Sequence, residues 1–193
     1  MSDGMISVIA LCGRQGAGKT TAALHLLHRG YFRIRFANAL KKMLRDGLGI
    51  SDEYIDGPKK EFPCPELCGR TARHAMITLG TEWGRRKIHR DIWVHSLFRE
   101  MRKLINEGYD KFVIDDLRFL TEEKWLRSLK VGSDIPIMVK IIKLERDGVI
   151  ISDHQSEREI DKIIPDWCIY NNDSVKSLQD SIDDILQRTQ GGI

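Results

Sequence analysis

Gly13-Arg14-Gln15-Gly16-Ala17-Gly18-Lys19-Thr20 is the stretch on which the fold turns. It matches G-x-x-x-x-G-K-[ST], the pattern of a phosphate-binding loop. Its glycines let the backbone turn tightly enough for successive N–H groups to face phosphate oxygens. A helix starting at its end adds a positive N-terminus aimed at the same anion. Lys19 is then placed to reach the β- and γ-phosphates, and the Thr20 hydroxyl to sit on Mg²⁺. Gly13, Gln15, Gly16, Ala17, Gly18, Lys19, Thr20 and Thr21 form the expected binding set for ATP. The plain alternative is a glycine turn joining a strand to a helix, so the flanks decide.

The flanks agree with the phosphate loop. Residues 6–11 are a short apolar run ended by glycine, which reads as a buried strand. Residues 20–29 carry Ala, Leu and His at helical spacing. Further out, 32–36 alternate apolar residues with arginine, a strand with one exposed face. Residues 39–48 carry Leu40, Met43, Leu44 and Leu48 as a helical stripe. Residues 49–69 hold three of the five prolines (Pro58, Pro63 and Pro65) and read as a long irregular, linker-like loop. Helical spacing returns over 71–87 and 92–107, with Gly108 as C-cap. Strands follow at 111–114, 137–144 and 168–170. Helices follow at 121–129 and 174–188, the last with Ser174 as N-cap. Strands alternating with helices predict an α/β fold: a P-loop three-layer sandwich around a mostly parallel five-stranded sheet, in one domain spanning 1–193.

Composition sets the outer bounds. The 193 residues carry 31 Lys and Arg against 28 Asp and Glu, a formal net charge of +3 that is too small to imply a nucleic-acid partner. A hydrophobic share of 41% with 31% charged residues describes a soluble globular chain. No apolar run approaches the roughly 20 residues of a membrane span, and the start lacks the basic region of a signal peptide. The expected setting is cytoplasmic, with small molecules as partners and no membrane. Cys12, Cys64, Cys68 and Cys168 then read as reduced thiols. Cys64 and Cys68 beside His74 offer half a zinc site and nothing supplies the other half, so ordinary thiols are expected.

A second constellation follows the strand at 111–114. Asp115, Asp116 and Arg118 lie where the carboxyl ends of strands line the ligand crevice of an open α/β sheet. Asp116 there can serve the metal with Thr20, and Arg118 can fork onto a phosphate. The competing reading is a solvated turn with an ion pair. Arg70, Arg73, Arg85, Arg86 and Arg90 flank one predicted helix. Such a face is usually solvated, yet a kinase with a phosphorylated acceptor must gather anions. Arg146 and Arg158 bracket a polar segment containing Gly148, Asp153 and His154 that suits a short lid over 146–158, with surface arginines as the alternative. His25 and His28 are expected to pack. The tryptophans Trp83, Trp93, Trp125 and Trp167 are expected mainly in the core, although one could stack a base.

Taken together, these residues resemble the bacteriophage-type deoxynucleoside monophosphate kinases. The matching stretches are Phe36-Ala37-x-x-Leu40-Lys41, Thr71-Ala72-Arg73 and Leu79-Gly80-Thr81-Glu82-Trp83-Gly84-Arg85. They continue with Asp91-x-Trp93-Val94, Ile114-Asp115-Asp116-x-Arg118-Phe119, Asp153-His154-x-Ser156-Glu157 and Ile169-x-Asn171-Asn172. The resemblance covers nearly the whole chain. It implies transfer of the ATP γ-phosphate to a deoxynucleoside monophosphate, with a helical acceptor-binding region over about 49–107. Asn38, Lys41, Arg70, Arg73, Trp83, Arg85, Asp115 and Glu157 are the implied acceptor-side residues. Lys19, Arg118, Arg146, Arg158 and Asp116 are the implied catalytic ones. The host cytoplasm is the implied setting for a phage-encoded chain, and a homodimer through the 92–107 helix remains open. Two departures stand out: Asn38 where the family often has an acidic residue, and Leu120-Thr121 where it has Pro-Asn.

Two other readings stay open at the level of sequence. One is a P-loop kinase with a hydroxyl acceptor, dephospho-coenzyme A kinase-like or nucleoside kinase-like, in which Asp115 or Asp116 would act as base. The other is an ATPase that uses the nucleotide as a switch.

Overall fold

The computed structural model describes residues 5–129, 136–149 and 155–190. Its strands are β1 (Ile6–Cys12), β2 (Phe32–Ile34), β3 (Lys111–Ile114), β4 (Ile137–Glu145) and β5 (Trp167–Tyr170). Its α-helices are α1 (Lys19–His28), α2 (Asn38–Lys42), α3 (Asp52–Ile55), α4 (Ala72–Ile77), α5 (Ile92–Asn106), α6 (Leu120–Arg127), α7 (Gln155–Ile160) and α8 (Val175–Gln190). The five strands form one all-parallel sheet in the order β2-β3-β1-β4-β5. The α/β reading and all five strands stand, and the chain separates into two compact units. The first comprises residues up to Ile34 together with those from Arg102 onward, and the second is Arg35–Met101.

The first unit is built on β1. Its side chains alternate between faces, and Ile9 and Leu11 join Val113, Ile142, Leu144 and Ile169 on one of them. Ala22, Ala23 and Leu26 of α1 and Leu178, Ile182, Ile185 and Leu186 of α8 cover that face. His25 takes part in this layer. It is nearly buried, and its Nε2 lies 2.9 Å from Asp183 Oδ1 of α8. His28, expected to pack, is exposed, because its helical position faces away from the sheet. At its N-terminus α8 is capped as expected, the Ser177 N–H donating to Ser174 Oγ at 3.2 Å.

The second unit departs more from expectation. Residues 49–69 are not a linker: they contain α3 and a 3₁₀ turn at Pro65–Leu67. Ile50, Ile55 and Cys64 pack with Leu44 into a small core of their own. An antiparallel bridge between Pro63 and Thr71 closes the segment, and Pro65 opens the 3₁₀ turn, where a missing N–H costs nothing. Two helices widen into π-helical turns, at Met43–Gly47 and Thr78–Ile88. Bonding from i to i+5 breaks the 3.6-residue spacing. Half of the predicted stripe therefore turns outward: Leu40 and Leu44 are buried, while Met43 and Leu48 are exposed. Thr71 caps α4 by accepting the His74 N–H at 3.1 Å.

Candidate active site

The phosphate loop joins β1 to α1 and is held open by backbone geometry that glycine alone adopts without strain. Gly13, Gly16 and Gly18 have φ of 139°, 85° and 101°. A Cβ on Gly13 would overlap the carbonyl of Leu144, and one on Gly18 the amide of Asn171. Lys19 is buried, and its Nζ donates to the carbonyls of Gly13 at 2.5 Å and Arg14 at 2.7 Å. The amine is thereby held against the loop's own backbone. Thr20 is exposed on the first turn of α1, Thr21 is half-buried, Gln15 is exposed and Ala17 is buried. Asn171 fastens the loop from the other side: its Nδ2 donates to the Ala17 carbonyl at 3.0 Å, and its N–H to Glu145 at 2.7 Å. The Asn171-Asn172 pair was visible in the sequence as a match, without a role. Asn172 in turn accepts the Asp147 N–H at 2.9 Å.

At the carboxyl end of β3, Asp115 is buried and paired with Arg33 of β2. This corrects the reading of 32–36 as a strand with an exposed face. The strand is only three residues long, and Arg33 is mostly covered because Asp115 draws it in. Asp116 and Arg118 are half-buried beside it. The Arg118 N–H donates to Glu122 Oε2 at 2.9 Å, and that of Phe119 to the same oxygen at 3.0 Å, which fixes the turn into α6. Arg33 and Glu122 escaped the sequence reading, because neither motif nor spacing distinguishes an inward-facing strand arginine from a solvated one.

A cleft of about 350 Å³ lies along the loop and the carboxyl end of β4, lined among others by Gly13, Arg14, Ala17, Arg146, Asp161 and Tyr170. Arg146 is exposed at its rim, and Arg158 is exposed on α7. Residues 150–154 of the expected lid, including Asp153 and His154, and the side chain of Glu157 lie outside what is described. At the last residue of β1, burial pushes the Cys12 thiol up to about 12, against the pull of Lys143 and Lys19. It is therefore a neutral, inert neighbour of the loop.

The residues of the second unit that the resemblance implies for the acceptor are mostly engaged with neighbours. Lys41 is buried and donates to Asp56. Burial alone would raise the Asp56 carboxyl, but the hydrogen bond and charge of Lys41, with Arg35, outweigh it and hold the group below its ordinary value. Asn38 Nδ2 donates to Glu100 Oε1 at 3.0 Å, so a carboxylate does stand at this position, supplied by α5. Arg73 pairs with Glu61, Arg70 is exposed, and Arg85 Nη1 donates to the Arg90 carbonyl at 3.3 Å. Trp93 is buried, donating from Nε1 to the Gly80 carbonyl at 2.7 Å, whereas Trp83 is 40% exposed, its ring tilted against that of Trp93 with centroids 6.4 Å apart. Cys64 is buried with its thiol on Glu66, and Cys68 is exposed. Among the described residues, no helix is long and apolar enough to cross a membrane.

Comparison with known proteins bears on this geometry. Residues 69–182 match the sequence model of the deoxynucleotide monophosphate kinase family. A protein of Acanthamoeba polyphaga mimivirus named as a deoxynucleotide monophosphate kinase is 31% identical over 188 residues, covering 91% of this chain and 93% of its own. The deoxynucleoside-5'-monophosphate kinase of Escherichia phage T5 is 32% identical over 111 residues, covering 58% of this chain and 40% of its own. Among solved structures, the dephospho-CoA kinase of Campylobacter jejuni superposes with a TM-score of 0.54 at 13% identity, over 96% of this chain and 97% of that one. TT1252 of Thermus thermophilus superposes at 0.52 with 16% identity, over 95% and 98%. These two similarities concern the fold alone.

Proposed function

The chain belongs to the deoxynucleotide monophosphate kinase family, and from that premise we propose how its residues move the γ-phosphoryl group of ATP to the phosphate of a deoxynucleoside monophosphate, giving the diphosphate and ADP. The observation that carries the reading is the loop itself. It has three left-handed glycines, a buried lysine that donates to two loop carbonyls, and a helix start behind them. The acceptor phosphate already carries about −1.5 to −2 charge at neutral pH, so its oxygen attacks without a general base. The work left to the protein is to align two anions and to neutralise charge on the migrating group.

Lys19 leaves the Gly13 and Arg14 carbonyls for the phosphate oxygens, and Gly13, Gln15, Gly16, Ala17, Gly18, Thr20 and Thr21 form the cradle. Arg118, Arg146 and Arg158 supply further positive charge. Mg²⁺, when bound, offsets charge on the phosphates. Thr20 and Asp116 suit it, being an exposed hydroxyl and a half-buried carboxylate, the hard oxygen donors that this ion takes alongside phosphate. In the second unit, Asn38, Lys41, Arg70, Arg73, Trp83 and Arg85 serve the acceptor, Trp83 by stacking and the cations by pairing with phosphate. Asp115 acts by fixing Arg33 and the end of β3. A base role for it is disfavoured, because its carboxylate is already committed to a guanidinium.

The test is a panel of deoxynucleoside monophosphates offered with ATP and magnesium, with products separated by chromatography. Dephospho-coenzyme A and nucleosides are run in parallel. Diphosphate formation from at least one monophosphate is expected. Turnover with the hydroxyl acceptors alone would overturn the proposal.

A further inference from the structure

Arg14 occupies a position that the loop motif leaves open to any residue. Its carbonyl accepts Lys19 Nζ at 2.7 Å and the Ala17 N–H at 3.2 Å. Its guanidinium Nη2 donates to Asp161 Oδ2 at 2.7 Å, just beyond the end of α7. The other arm, Nη1, is buried and has no hydrogen-bond partner among the described residues. Arg14 and Asp161 both line the cleft that runs along the loop.

A buried donor left without an acceptor costs about as much as a hydrogen bond contributes, so it calls for an explanation. Asp161 anchors the guanidinium through one arm, and a turn of the side chain about that anchor brings the second, covered arm to the cleft that Arg14 lines. The loop amides and the start of the helix cradle the inner phosphates, while the motif lysine reaches the outer ones. Arg14 stands at the lysine's end, because its own carbonyl holds that amine.

We propose that Arg14 Nη1 donates to an oxygen of the terminal phosphoryl group of bound ATP, making Arg14 a phosphoryl contact built into the loop. The inference rests on the nucleotide-binding half of the function proposed above and is independent of the acceptor. The contact distinguishes ATP from ADP, and it adds positive charge where the transferred group departs.

The experiment is calorimetric titration of the full chain and of R14K and R14M with ATP and with ADP, each with magnesium. Lysine keeps the charge and the pairing with Asp161 but has no second arm. R14K is expected to weaken ATP binding about tenfold, the effect of one charge-assisted hydrogen bond. ADP binding should change less than about twofold, and R14M should repeat the pattern. Wild-type ATP affinity in R14K would show that the ion pair is the whole role and would overturn the proposal. Equal weakening of ATP and ADP would mean damage to the loop and would overturn it as well. So would loss of the native circular dichroism spectrum in both variants. A wild-type chain that binds ATP yet makes no diphosphate overturns the acceptor reading and leaves this test intact. Diphosphate formation with unaltered titrations in R14K overturns only the role of Arg14.

Discussion

Replacing Lys19 by alanine removes the amine that bonds to the carbonyls of Gly13 and Arg14. In the absence of nucleotide that loss is modest, about 1–2 kcal/mol for two hydrogen bonds. Loss of charge stabilisation during transfer is larger, about 10²–10³-fold in turnover by analogy with other preorganised donors. K19A is therefore expected to keep its circular dichroism spectrum while diphosphate formation nearly disappears; unchanged turnover in a coupled ADP-release assay would remove Lys19 from the mechanism. At this scale the sequence was informative wherever a residue type has one physical reason to be present. The glycines are needed for positive φ, and the lysine for reach. Arg33, Asn171 and Glu122 were not legible in this way. Their roles depend on which neighbour faces them: Asp115 and Ala17 come from distant parts of the chain, and Glu122 turns back onto the amides at the start of its own helix.

The elements were legible because burial imposes a period. β1 and β3 are short apolar runs, and α8 keeps Leu178, Ile182 and Ile185 on one stripe. The π-helical turns were not, since insertion of a wider turn leaves no mark in composition. In the Thr78–Ile88 segment, a Cβ on Gly84 would meet the Trp93 ring, whose Nε1 donates to Gly80. Gly84 thus admits the indole against the backbone, while Gly80 supplies the carbonyl that it bonds. Trp93→Phe is expected to lower stability by about 1–3 kcal/mol, as it strands the buried carbonyl, and a urea midpoint equal to wild type would contradict this. The fastening of α1 to α8 has a pH signature. Burial alone would raise the Asp183 carboxyl, but hydrogen bonds from Arg29 and His25 outweigh it and hold the group below its ordinary value. A lowered carboxylate contributes stability above its unfolded value and loses it as pH falls through the folded one. D183N should cost about 1 kcal/mol at pH 7, and the gap between variant and wild type should close in acid, as followed by urea melts.

For the molecule as a whole, a ligand that binds only the folded chain raises its stability by mass action, about 2.7 kcal/mol at a hundred times Kd. ATP should accordingly raise the midpoint of thermal unfolding in a concentration-dependent way, and K19A should blunt the rise. A midpoint indifferent to ATP would mean the loop is not a nucleotide site. The sheet order carries a different consequence, for the birth of the chain. β1 is synthesised first but pairs on one side with a strand starting at Lys111 and on the other with one starting at Ile137. Until the ribosome has passed both, the future centre of the sheet has two bare edges and no local pairing to protect it. Assembly must wait for distant segments, which is the slow regime of folding. A nascent chain stalled before Ile137 would leave one flank of β1 exposed to association with other chains.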